Sequence, residues 1–87
     1  MRKLVEVDEK EEGLMSLMGE TVTLFCVNYF YTGKLIGVNS TCVLLEDPFI
    51  VYETGVWGDK AWKDAQKLPT KKFYVQTAAI ESFGVLK

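Results

Sequence analysis

Two strand patterns broken by very short polar segments limit the fold more than anything else in this chain. Residues Gly33 to Asp47 read GKLIGVNSTCVLLED, two apolar stretches around Asn39-Ser40-Thr41. Residues 73–84 read FYVQTAAIESFG, a strand, a small-residue turn at Ala78-Ala79 and a second strand. Breaks this short join antiparallel neighbours, because a parallel partner needs a long crossover. Repeated in a small chain, they give a strongly bent antiparallel barrel. Short polar loops at the end of such a barrel are where binding groups sit.

The remaining segments fit this frame. In residues 20–27, Val22, Leu24 and Cys26 share one face, while Thr21, Thr23, Phe25 and Val27 share the other. Asn28-Tyr29 reads as a tight turn, since Asn tolerates positive φ. A strand is expected over 30–38, where Gly33 and Gly37 mark bends or close backbone approach. Pro48 interrupts the next apolar run, because proline cannot donate to a ladder, and FIVYE resumes it at 49–53. Residues 54–70 then break the strand rhythm. Gly55 and Gly58 are hinge-like, and Asp59 caps a short helix expected over 60–67. Ala61, Trp62 and Ala65 give that helix a narrow apolar stripe, and Pro69 stops it. Segments 72–77 and 80–86 supply the closing pair of strands.

Ahead of the strands, residues 8–18 read as a helix. Asp8 and Glu11 have capping-box spacing, Leu14, Leu17 and Met18 share a face, and Gly19 sits at the C-cap. Leu4, Val5 and Val7 fit either a short strand or an extended lead-in. The expectation is a mainly β, single-domain chain over 1–87, with five bent antiparallel strands. It carries an N-terminal helix and a helix-bearing insertion between strands three and four.

Composition narrows the function. With 87 residues and 48% hydrophobic content, one domain can bury only a modest core, so self-association is expected. No apolar run approaches the roughly 20 residues of a membrane span. The opening MRKLVEVDEKEE turns acidic without the apolar centre of a signal peptide, which points to the cytoplasm. The chain has no histidine. That removes Ser-His-Asp and Cys-His nucleophile pairs and the commonest zinc and iron ligand. Cys26 and Cys42, the only cysteines, lie inside apolar strand patterns and read as reduced, packed thiols. Carboxylate or lysine chemistry stays open, but no spacing supports it. A binding or assembly protein without metal or cofactor is expected rather than an enzyme.

Charge is unevenly placed. Residues 6–20 hold six acids against Lys10, whereas residues 59–72 hold Lys60, Lys63, Lys67, Lys71 and Lys72 against Asp59 and Asp64. The basic segment is either a phosphate-attracting patch or a solvated helical face. Trp57 and Trp62 are interleaved with these lysines. They suit stacking on single-stranded nucleic acid, or they anchor the loop on the body or on a neighbour. Tyr29, Phe30 and Tyr31 form an aromatic triplet at the first hairpin. Alternation sends Phe30 to the core or a subunit seam. It sends Tyr29 and Tyr31 outward, for base stacking or an intersubunit contact.

Over residues 14–85 the pattern resembles the Sm/LSm family, which includes the Hfq-type RNA chaperones. Gly33-Lys34-Leu35 fits the family's Gly-x-Leu element, and Asn39 stands where Asp is usual. Val43-Leu44-Leu45-Glu46 fits the strand leaving the loop, whose length is close to the Hfq type. Val75-Gln76-Thr77-Ala78-Ala79-Ile80 occupies the second motif. The resemblance implies an SH3-type five-stranded barrel with an N-terminal helix. It implies a homo-oligomeric ring closed by pairing segment 72–77 of one subunit with 80–85 of the next. It also implies two pore-facing loops that hold a base, here Asn39, Ser40, Thr41, Gln76 and Thr77.

Both loops depart from the family. Thr41 stands where a stacking aromatic or histidine is usual, and Gln76-Thr77 replace the cationic pair. The first change removes a stacking surface worth about 1–3 kcal/mol per base. Asn39, Ser40 and Gln76 still offer hydrogen bonds to base edges or sugar hydroxyls. The expected function is therefore non-catalytic binding of single-stranded nucleic acid, RNA first and DNA second. A structural or protein-interaction ring with no nucleic-acid role is the rival reading.

Overall fold

Six antiparallel strands form one sheet in this computed structural model, which describes residues 13–87. They are β1 (Thr21–Cys26), β2 (Phe30–Val38), β3 (Cys42–Glu53), β4 (Asp64–Lys67), β5 (Lys72–Gln76) and β6 (Ile80–Gly84). The order across the sheet is β4-β3-β2-β1-β6, with β5 also paired to β3. No helix among the described residues is long and apolar enough to cross a membrane.

β3 pairs with β2 along one edge and, because it bends, serves two partners along the other. Cys42–Glu46 pairs with β5, and Phe49–Glu53 pairs with β4. The bend is at Asp47-Pro48, where Asp47 has φ 51°, a left-handed value that Asp tolerates better than most residues. Opposite the bend, Asp47 N–H donates to Lys71 O at 2.9 Å and Leu68 N–H donates to Pro48 O at 2.9 Å. Pro69 and Thr70 are thereby looped out, and β4 and β5 are two halves of one interrupted strand. On the other side of the bend lies Gly33, at a register shift between β2 and β3. A Cβ on Gly33 would lie 3.1 Å from Glu46 O, 3.1 Å from Leu45 Cβ and 3.3 Å from Pro48 Cα. Only glycine lets the two strands approach so closely there.

The core follows the alternation. Val22, Leu24 and Cys26 of β1 are buried with Leu35, Val43, Leu45 and Val75. Burying side chains of this size favours folding by about 1.5–3 kcal/mol each. Leu14, Leu17, Tyr31, Val38, Phe73 and Ile80 pack around them. Tyr31 and Phe73 meet at 5.3 Å between ring centroids, which links β2 to β5 and draws the sheet into a barrel-like curl.

Three expectations are corrected. The helix over 60–67 does not form, because Asp64–Lys67 is β4. A short helix with a narrow apolar stripe is marginal on its own, whereas pairing with the second half of β3 gives the segment a full ladder. The N-terminal helix reduces, among the described residues, to a single 3-10 turn at Leu14–Leu17. Gly13 at φ 71° and Gly19 at φ 87° bracket that turn and end its regular structure. Its i, i+3 geometry still places Leu14 and Leu17 on the core. The expected capping by Asp8 and Glu11, and the lead-in at Leu4, Val5 and Val7, lie outside the described residues. The strand count is six instead of five, since the Pro69-Thr70 bulge splits the fourth. Segment 72–77 ends as strand at Gln76, and Thr77–Ala79 forms a 3-10 turn into β6.

Replacing Gly33 by Ala is expected to destabilise the fold by about 1–3 kcal/mol, because the atoms met are mostly backbone. Gly58→Ala, where a Cβ would meet nothing within 4 Å, is expected to stay within about 0.5 kcal/mol. Urea denaturation midpoints of the two variants check this.

Candidate functional site

Residues 37 positions apart are fastened together at one end of the sheet. Asn39 Oδ1 accepts hydrogen bonds from Thr41 N–H at 2.8 Å, Thr41 Oγ1 at 3.0 Å and Cys42 N–H at 2.9 Å. Asn39 N–H donates to Cys42 O at 3.0 Å, which closes the turn between β2 and β3. A short side-chain acceptor that bonds its own following backbone is the reason Asn suits this position. Thr77 then ties this loop to the next. Its N–H donates to Thr41 O at 2.9 Å, and its Oγ1 donates to Ser40 O at 3.1 Å.

Ser40, Thr41, Gln76 and Thr77 consequently line one shallow depression with Cys42, Tyr74 and Ala78. Four of the five loop residues expected to act together do share a surface. Asn39 is the exception, because its carbonyl oxygen is spent on building the turn. Among the described residues, the exposed side chains of Ser40 and Gln76 make no hydrogen bond to protein and remain available.

Tyr74 is the residue that sequence reasoning missed. It is 66% exposed, whereas its neighbours Phe73 and Val75 turn toward the core. Alternation in β5 puts Lys72, Tyr74 and Gln76 together on the outward face. The signal was present in KFYVQ, where period two with Val75 inward leaves Tyr74 outward. The ring supplies, from β5, an aromatic surface that Thr41 does not.

The five lysines do not act as one patch. Lys63 Nζ lies 3.3 Å from Glu53 Oε2, and Lys67 Nζ lies 3.6 Å from Asp47 Oδ1. Exposed pairs of this kind add little stability, but they offset the local positive charge. Lys60, Lys71 and Lys72 are exposed and form no ion pair among the described residues. Lys72 alone of the five lies on the outward face of β5, with Lys71 beside it at the bulge.

The aromatic residues sort differently from the alternation expected. The hairpin register pairs Tyr31 with Leu24 and Phe30 with Phe25. Tyr31 therefore lies on the core side, half-buried against Phe73. Burial pushes its phenol up, with Cys26, Tyr29 and Tyr52 adding to the effect. Phe30 is on the opposite face, stacked on Phe25 at 4.4 Å. Parity along the hairpin is as read, but the two faces are exchanged, because both are apolar and only pairing chooses between them. Tyr29 remains exposed and meets Tyr52 edge-on at 5.8 Å. Tyr29, Tyr31, Tyr74 and Gln76 also line a groove of about 220 Å³ beside Cys26 and Phe73. Cys26 is buried there, and burial, followed by Glu81, raises its thiol above the ordinary value. Trp57 leans on Phe25 at 5.9 Å, and Trp62 meets Trp57 edge-on at 6.0 Å. Both tryptophans anchor the 54–63 loop on the sheet and share no residue with the loop depression.

No family model matches this chain, and a search of curated proteins returns no match.

Asn39→Ala is expected to lower stability by about 1–3 kcal/mol, since it removes three hydrogen bonds at once. Thr77→Val removes one and is expected to cost about 0.5–1.5 kcal/mol. Thermal unfolding of both variants measures the ranking, and an unchanged midpoint for Asn39→Ala would refute the loop-building role.

Proposed function

We propose that the protein is an Sm-like, homo-oligomeric ring that binds single-stranded nucleic acid without catalysis. The observation that carries this reading is the outward row Lys72, Tyr74 and Gln76 along β5, ending at Ser40, Thr41 and Thr77. Residues two apart on a strand repeat at roughly 6.6 Å, so cation, ring and amide are spaced along an extended chain. Lys71 and Lys72 meet phosphates, Tyr74 stacks on a base, and Gln76 and Ser40 bond base edges or sugar hydroxyls.

The strand order supports the Sm-like part of the reading. Taken with the interrupted strand as one, it runs β6-β1-β2-β3-β5, an open curl whose first and last strands each have one unpaired edge. Tyr74, Phe83, Val85 and Leu86 are exposed on or beside these edges. Unpaired edges flanked by apolar side chains invite association, and a closed ring removes them. The ring without nucleic acid keeps one observation in its favour. Lys63 and Lys67 are ion-paired and Trp57 and Trp62 are packed on the sheet, so much of the expected basic and aromatic surface is occupied.

Fluorescence anisotropy with labelled oligo-U, oligo-A and single-stranded DNA tests binding at two salt concentrations. Saturable, salt-sensitive binding at micromolar protein or below is expected. Lys71→Gln with Lys72→Gln is expected to reduce the log–log salt slope by about 1.4, since each phosphate contact contributes about 0.7. Tyr74→Ala is expected to weaken binding by about 1–3 kcal/mol. No binding to any strand at low salt leaves the ring as an assembly element only.

Light scattering on a size-exclusion column tests the ring itself, with a closed oligomer several times the 9.9 kDa chain expected. A monomer at every concentration sinks that part of the reading.

A further inference from the structure

Lys87 is held by three backbone carbonyls and two indole rings. Its Nζ donates to Thr54 O at 2.8 Å, Val56 O at 2.8 Å and Ala61 O at 3.3 Å. It also lies 4.7 Å from the Trp62 ring centroid and 5.9 Å from that of Trp57. An ammonium has three donors and no acceptor, so three carbonyls satisfy it completely. The two indole rings add cation–π attraction on their faces.

Every group that holds this ammonium comes from one loop, and Lys87 supplies only the occupant. The loop has its own supports. Asp59 N–H donates to Val56 O at 3.0 Å and Lys63 N–H donates to Thr54 O at 3.4 Å, so two of the three carbonyls are positioned from within. Trp57 rests on Phe25, and Lys63 is paired with Glu53 at the strand end. The cage also opens outward. Trp57 is 54% exposed, and Trp62 and Lys87 line a groove of about 590 Å³. That groove has Phe49 and Ala65 for an aliphatic stem. It also holds Glu46 and Asp47 against Lys34 and Lys60, so without Lys87 it does not repel a cationic segment.

We propose that Trp57, Trp62 and the carbonyls of Thr54, Val56 and Ala61 form a binding site for the lysine side chain of a partner polypeptide, which Lys87 fills from within until it is displaced. The site prefers a primary ammonium. A quaternary ammonium keeps the attraction to the rings but leaves three carbonyl acceptors without donors. The site is independent of the loop depression and of any nucleic acid bound there.

The test uses Lys87→Gln, which vacates the cage and leaves the loop intact. The indole N–H signals of the two tryptophans are followed by NMR during titration with n-butylammonium, tetramethylammonium and the blocked tripeptide acetyl-Gly-Lys-Gly-amide. Both indole signals are expected to move saturably with n-butylammonium and with the tripeptide. Tetramethylammonium is expected to bind several-fold more weakly. The unaltered chain is expected to bind more weakly, by a factor of one plus the ratio of the effective concentration of Lys87, about millimolar for a short tether, to the Kd of the vacated cage. An absence of response in Lys87→Gln, or identical titrations in both chains, overturns the site. A response to n-butylammonium but not to the tripeptide overturns the polypeptide partner. A second measurement needs no variant. Under limiting acetic anhydride, Lys87 is expected to acetylate several-fold more slowly than Lys60 and Lys71, as read by mass spectrometry. Equal rates would overturn the cage even if Lys87→Gln fails to fold.

Discussion

The bend of β3 at Asp47-Pro48 is the constraint on which the other features rest. A straight strand of 12 residues would carry one partner along each edge. The bent strand carries β5 on its first half and β4 on its second. Three neighbouring features make the bend possible: a left-handed Asp47, a buried proline that needs no ladder donor, and Gly33 across the gap with no side chain in the way. Because the sheet turns there, Phe73 of β5 reaches Tyr31 of β2, and the core closes over Leu24, Leu35 and Leu45. The same turn brings the 39–41 loop against Thr77.

The molecule therefore has two distinct candidate surfaces. At one end of β5 lies a polar depression with a single exposed aromatic ring beside it. Under the proposed function its hydroxyls and amide would meet base edges, and Lys72 would meet a charged backbone. Across the outer face of β1 and β2 lies an aromatic layer, Phe25, Phe30, Trp57 and Trp62, with an ammonium lodged at its edge. Sequence proximity had grouped the tryptophans with the lysines of 59–72. The fold keeps Lys60 and Lys63 beside Trp62 but separates Lys71 and Lys72 from the tryptophans, because the 54–63 loop folds back onto the sheet while those two lysines continue into β5.

The strands were largely legible from residue pattern. The span 30–38 coincides with β2, and Val22, Leu24 and Cys26 share one face of β1 as alternation required. Gly33 and Gly37 both fall at register shifts between β2 and β3, where bends were anticipated. The helix over 60–67 was misread for an identifiable reason. Residues 64–67 carry no strong strand signal of their own, and β4 exists because β3 offers it a partner. The candidate site was legible in four of its five loop positions. Tyr74 was missed because a strand residue is easily absorbed into the core when its face has not been assigned.

Local chemistry, then, determined where this chain alternates, where it turns, and which side chains are small enough or polar enough to sit in a bend or a loop. These are short-range properties of φ preference, hydrogen-bonding reach and period-two burial. Tertiary structure decided which of two apolar faces becomes the core, whether residues 64–67 join a sheet, and which lysine enters the tryptophan cage. Each of those outcomes depends on a partner distant in the chain: Phe73 for Tyr31, Val51 for Ala65, Trp62 for Lys87. Contacts of that range exist only once the strands and the loop have come together, so no local pattern could encode them.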